Sequence, residues 1–146
     1  MRSPTRTRRR VAETAHARGL LDTSVVIDLG TIDPDRLPVE TAISTLTLAE
    51  LAAGPHAASD ADERARRQER LQRAEAAFDP LPFDLAAARA YGRVLAAVAA
   101  RERAVRGRRA VDLMVVATAL AGGLPLYTRD PQDLRGLEGL VEVVVL

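Results

Sequence analysis

Four carboxylates stand at positions where an acid needs an explanation. Asp22 interrupts the apolar run LLDTSVVIDL of residues 20–29. Glu50 lies in LTLAELAAG, Asp112 opens VDLMVVATALA, and Asp130 follows LPLYT in TRDPQDL. Acids brought together repel one another and cost free energy unless protonated or bound to a cation. A cluster with no Lys or His nearby points to a divalent ion, and oxygen-only ligation selects Mg²⁺ or Mn²⁺ over zinc. Such an ion completes its shell with water and substrate phosphate, activates water near neutral pH and stabilises a leaving oxygen. That chemistry suits phosphodiester hydrolysis. Taken singly, each acid has a plainer reading: a helix cap for Asp22, a solvent-facing helix position for Glu50, a helix-dipole partner for Asp112, and a turn residue before Pro131 for Asp130. Asp133 carries the same turn reading and a weaker case, as a cap or supporting group.

Composition narrows the alternatives. The chain has 146 residues, 47% of them hydrophobic, which suits one domain with a substantial core. Cys is absent, which excludes disulfides, thiolate metal sites and a Cys nucleophile, and fits a reducing, cytoplasmic setting. All 21 basic residues are Arg, so P-loop phosphate binding and Schiff-base chemistry, which need a lysine, are excluded. His16 and His56 are the two histidines, too few for a multi-His zinc site. No apolar run approaches the ~18 residues of a membrane span. The net charge of +1 is uneven. Residues 1–18 carry six Arg and one Glu, a sum of +5, and residues 19–146 carry fifteen Arg and nineteen acids, a sum of −4.

The elements that must position the acids follow from pattern. Residues 1–18 have no apolar period and are expected to form a disordered basic arm. Strands are expected at 19–22, 41–45, 124–128 and 141–146, with 79–84 a short strand or extended link kept at an edge by Pro82. Helices are expected at 24–29, capped by Thr23 or Ser24, then at 46–54, 59–78, 84–103 and 111–121, with a short one after Asp130. RAVRGRR, 103–109, reads as a basic loop broken by Gly107. Alternating strands and helices argue for an α/β fold with a mainly parallel sheet of four or five strands between two helical layers. Ligands of such sheets sit at the carboxyl ends of the strands, an edge that all four acids can reach. Asp112 is expected in the first turn of its helix.

The four blocks LLDTSVVIDL, ISTLTLAELAAG, RGRRAVDLMVVATAL and LPLYTRDPQDL, in that order, resemble the PIN-domain ribonucleases, most of all the VapC-type toxins of bacterial toxin–antitoxin pairs. The resemblance covers residues 19–146. It implies a three-layer α/β/α PIN-like nuclease domain whose acids fall on Asp22, Glu50, Asp112 and Asp130 as catalytic and metal-binding residues. The second lies in a Ser-x-x-Thr-x-x-Glu-Leu pattern spelled by Ser44, Thr47, Glu50 and Leu51. It also implies Mg²⁺ or Mn²⁺ as cofactor and structured RNA, often transfer or ribosomal RNA, as substrate. The implied partners are a second copy of the chain and a cognate antitoxin, in a homodimer or a heterotetramer with it. Asp130 would then bind metal directly or through water, and Thr23 or Thr128 would hydrogen-bond a metal-held water.

With two Phe, two Tyr and no Trp, base stacking is scarce, so RNA is expected to be held through Arg and phosphate contacts. Arg106, Arg108 and Arg109, next to Asp112, are the candidates. Two rival readings remain: a catalytically silent PIN-like module that binds RNA or protein, and a metal-dependent nuclease or phosphatase outside toxin–antitoxin biology.

Overall fold

Leu20 and Leu21, adjacent in the first strand, are both fully buried but belong to different hydrophobic clusters. Successive side chains of a strand face opposite ways, so this strand has a core on each side. The computed structural model describes residues 16–99, 101, 105 and 107–146. Its sheet consists of β1 (Arg18–Leu21), β2 (Glu40–Ala42), β3 (Leu126–Thr128) and β4 (Val143–Val145), all parallel, in the order β2-β1-β3-β4. The register sets Leu20 opposite Leu126 and Leu21 opposite Tyr127, so β3 repeats the alternation of β1.

The helices are α1 (Thr23–Ile27), α2 (Thr45–Ala53), α3 (Ala61–Ala77), α4 (Leu85–Val98) and α5 (Arg108–Gly122). Leu20 and Leu126 pack with Val94, Val98, Leu113 and Val116 of α4 and α5. Leu21 and Tyr127 pack with Val25, Leu51, Leu71 and Ala74 of α1, α2 and α3. The three-layer α/β/α reading therefore holds. Tyr127 lies against the backbone of β1. A Cβ on Gly19 would come within 2.5 Å of its ring, so glycine is required there by space.

Boundaries differ from the expected ones in ways that matter. Residues 16–18, assigned to the basic arm, take part in the fold: Arg18 is in β1, and Val39 and Glu40 donate backbone hydrogen bonds to His16 and Ala17. The rest of the basic-arm expectation, residues 1–15, lies outside the described residues. The extended link at 79–84 contributes one parallel bridge, Leu81 to Ser44, rather than a strand. α2 ends at Ala53 with Gly54 as its C-cap, as expected, but Gly54 stays right-handed (φ −53°) and leads straight into a 3₁₀ turn, Gly54–Ala57. Helix α5 starts three residues early because Gly107, at φ +57°, turns the chain into it. Arg108 and Arg109 are thus helical rather than loop residues, and Asp112 lies beyond the first turn, where no acid is found. The helix-dipole reading of Asp112 loses its basis. The expected stop at Gly122-Gly123 stands, with Gly123 left-handed at φ +62°. Among the described residues no helix is long and apolar enough to cross a membrane.

Candidate active site

The sheet order places its topological switch between β1 and β3. β2 and β4 lie outside them, and the crevice at the carboxyl ends of β1 and β3 is where such sheets bind ligands. A cleft of about 160 Å³ opens at that position. Asp22, Glu50, Asp112 and Asp130 all line it, together with Asp133, Thr23 and Ser24. Among the described residues Arg108 is its one basic lining residue.

Each acid reaches the cleft by a different local device. Asp22 directly follows β1 and is itself the N-cap of α1, in place of Thr23 or Ser24, its Oδ1 accepting from the Val25 N–H at 3.1 Å. The cap and the cleft residue are thus one side chain. Ser24 Oγ donates to the same oxygen at 2.6 Å and accepts from the Arg129 N–H at 3.0 Å, tying the end of β1 to the segment after β3. Thr128, fully buried, accepts from the Asp130 N–H at 3.0 Å and also hydrogen-bonds the Asp22 carboxylate.

Glu50 is held by a chain of hydroxyls. Thr23 Oγ1 donates to Glu50 Oε1 at 2.8 Å. Its single proton is then spent, so the 3.1 Å contact with Thr47 Oγ1 must run from Thr47 to Thr23. Ser44 Oγ donates in turn to Thr47 Oγ1 at 3.4 Å and caps α2 by accepting from the Thr47 N–H at 3.1 Å. Ser44, Thr47 and Glu50 recur every three residues, so one face of α2 carries all three. Thr23 therefore faces Glu50 with its proton.

The electrostatics record crowding. Burial pushes the Asp22 carboxyl above its ordinary range, against the pull of hydrogen bonds from Ser24, Thr128 and Val25, and the charge of Asp130 adds to the rise. Burial also raises Asp112 to about 6, helped by the charges of Glu50, Asp133 and Asp22 and opposed by Arg108. Asp133, ranked behind the others by sequence, is thus a full neighbour of Asp112. It is brought there by the 3₁₀ turn Pro131–Leu134, and Arg109 donates to its backbone carbonyl. That contact turns Arg109 toward the 131–134 turn, while Arg108 faces the cleft. Arg106 lies outside the described residues.

The donor set is entirely oxygen and carries excess negative charge, which fits a hard divalent cation. Among the described residues, however, no three acidic or histidine side chains already stand in ion-holding geometry. Joint ligation by these acids therefore requires their side chains to rotate inward.

The PIN-domain family model matches residues 19–138. The chain is 36% identical over 136 residues to ribonuclease VapC5 of Mycobacterium tuberculosis, covering 91% of this chain and 97% of that one. It is 33% identical over 133 residues to the VapC ribonuclease Y4jK of Sinorhizobium fredii, covering 82% and 93%. Its structure superposes with a TM-score of 0.74 on a crystal structure of VapBC-5, from the VapBC family of toxin–antitoxin systems of Mycobacterium tuberculosis. That match has 37% identity over 89% of this chain and 98% of that one.

Proposed function

The chain belongs to the PIN-domain family, in its VapC group, and on that premise we propose that it is a metal-dependent endoribonuclease, the toxin of a type II toxin–antitoxin system. The observation that carries the proposal is the convergence of Asp22, Glu50, Asp112, Asp130 and Asp133 on one cleft at the switch point of the sheet. The reaction is hydrolysis of an RNA phosphodiester, in transfer or ribosomal RNA. Asp22, Glu50, Asp112 and Asp130 would hold Mg²⁺ or Mn²⁺. When bound, such a cation supplies the positive charge that acidifies the attacking water and offsets charge on the phosphate and the leaving oxygen.

The chain's own groups have distinct tasks. Asp22, fixed by three hydrogen bonds, and Glu50, fixed by Thr23, present carboxylate oxygens of set orientation. Asp112 and Asp130 present further charge to the cleft, and Asp133 supports Asp112. Arg108 offers the cleft its basic contact for a phosphate oxygen. The partners are RNA, a cognate antitoxin whose binding silences the enzyme, and a second copy of the chain, forming a homodimer or a heterotetramer with antitoxin.

The test is cleavage of total RNA by the purified protein with Mg²⁺ or Mn²⁺, against an EDTA control and Asp22→Asn, with the new ends sequenced. Metal-dependent cutting lost in Asp22→Asn is expected. RNA binding without any metal-dependent cutting would instead identify a silent binding module.

A further inference from the structure

A second cavity, of about 360 Å³, adjoins the acid cleft and shares Thr23, Ile27, Glu50 and Arg108 with it. α3 contributes Glu63, Arg67 and Arg70 to its lining, Glu63 being paired with Arg66 and Arg67. The two lining arginines have different fates. Arg67 Nε donates to Glu63 at 2.8 Å, and its Nη1 donates to the Gly54 carbonyl at 3.0 Å. That side chain is committed to fastening α3 onto the end of α2. Arg70, three residues on and next to the buried Leu71, is half-buried, and among the described residues no hydrogen bond or ion pair engages it.

Two other described arginines around the acids are occupied. Arg129 pairs with Asp28 at 3.2 Å, and Arg109 donates to the Asp133 carbonyl. Arg70 from α3 and Arg108 from α5 both line the second cavity, and Arg70 also borders the neighbouring groove against α1. A guanidinium without a carboxylate partner, held by its helix at a cavity wall, matches a phosphate in charge and in donor geometry. Among the described residues the cavity has no aromatic lining, so stacking on a base does not explain it.

From this juxtaposition we infer that the cavity between Arg70 and Arg108 is a phosphate subsite, holding the backbone of single-stranded RNA beside the bond presented to the acids. The inference rests on the nuclease reading for the placement of that bond, and it assigns the direction in which the strand leaves the cleft, over α3. Contact with phosphate carries no base information, so the subsite adds affinity without sequence preference.

Arg70→Ala and Arg70→Gln, each combined with Asp22→Asn to keep RNA intact, test it by titration with oligouridine and oligoadenosine over a range of salt. Binding is expected to weaken roughly five- to tenfold for both sequences, and the salt slope to fall by about 0.7, the loss of one single-strand phosphate contact. Arg73→Ala is the control: Arg73 lines the neighbouring groove against α1 and not this cavity, and its removal is expected to change neither quantity. Unchanged binding and slope in both Arg70 variants, or an equal loss in Arg73→Ala, overturns the subsite. Wild-type protein is assayed for metal-dependent cutting in parallel. Arg70-dependent binding without cutting sinks the nuclease reading and keeps the subsite, whereas cutting with Arg70-independent binding does the reverse.

Discussion

One pair of cleft acids, Asp22 and Glu50, is held by hydrogen bonds from Ser24, Val25, Thr128 and Thr23. Among the described residues no hydrogen bond engages the carboxylates of the other pair, Asp112 and Asp130, and Asp112 is pushed up to about 6 by burial and by its acidic neighbours. The first pair has its hydrogen-bond donors in place when the chain folds, and they offset part of the crowding on Asp22. Asp112 has no such donor, and a proton or a cation relieves the repulsion on it. A site built this way fixes part of its ligand set in advance and leaves the rest to respond to the ion. The absence of three acids already in ion-holding geometry among the described residues agrees with that division.

The largest effect expected is on cleavage. Asp22→Asn and Asp112→Asn should each lower the rate by more than about 100-fold, beyond the 10–100-fold typical of groups that only orient ligands. The two pairs should then separate by stability. Folded Asp112 holds its proton up to about 6, against an ordinary value of 3.8 that serves for the unfolded chain. Between those values the folded state binds more protons, so stability falls as pH rises through the window and the ionised carboxyl is destabilising above it. Asp112→Asn should therefore melt higher than wild type in metal-free buffer at about pH 8, by about 1 kcal/mol once solvent screening of this half-exposed group is discounted. The difference should vanish below about pH 4, where the unfolded carboxyl is protonated too. Asn caps a helix as well as Asp, so Asp22→Asn keeps the bond from Val25 but gives up the charge to which Ser24 donates, and it should gain less. Equal behaviour of the two variants in calorimetry would erase the distinction between the pairs.

A third comparison uses the ion itself. A cation that binds only the folded chain stabilises it by mass action, about 2.7 kcal/mol at one hundred times its dissociation constant. Mn²⁺ should raise the melting temperature of wild type at about pH 8 and should do so much less for Asp112→Asn. A full Mn²⁺ shift in that variant would remove Asp112 from the ligand set.

Much of this arrangement was readable from residue types. Strands ending at Asp22 and just before Asp130 follow from short apolar runs meeting polar turns, and alternation with helices gave a parallel sheet whose carboxyl edge collects the acids. Two things were not readable. The start of α5 depends on Gly107 adopting a positive φ, which periodicity does not register, so Asp112 was misplaced by about a turn. Asp133 was ranked low because its approach to Asp112 depends on the turn at Pro131–Leu134 folding back, which is a tertiary event. The hydroxyl chain lies between these cases. The spacing of Ser44, Thr47 and Glu50 was visible, but its reason required Thr23 from another segment.

That chain supplies the finest test of the hydrogen-bonded pair. Thr23→Val keeps the shape and removes the donor to Glu50, so it should raise the Mn²⁺ concentration for half-maximal cleavage by about 10–100-fold, the range for an orienting partner. Thr47→Val acts one bond further away. Its hydroxyl is fully buried and donates to Thr23, so its loss should cost about 1 kcal/mol of stability, lowering the melting temperature by roughly 2–4 °C. Thr23 would still point at Glu50, and the Mn²⁺ requirement should rise by less than about tenfold. Orientation propagates along the chain only if the effect on metal decays from Thr23 to Thr47 while the effect on stability grows. A Thr47→Val protein that melts lower but needs no more Mn²⁺ would confine Thr47 to packing and leave Thr23 as the sole support of Glu50.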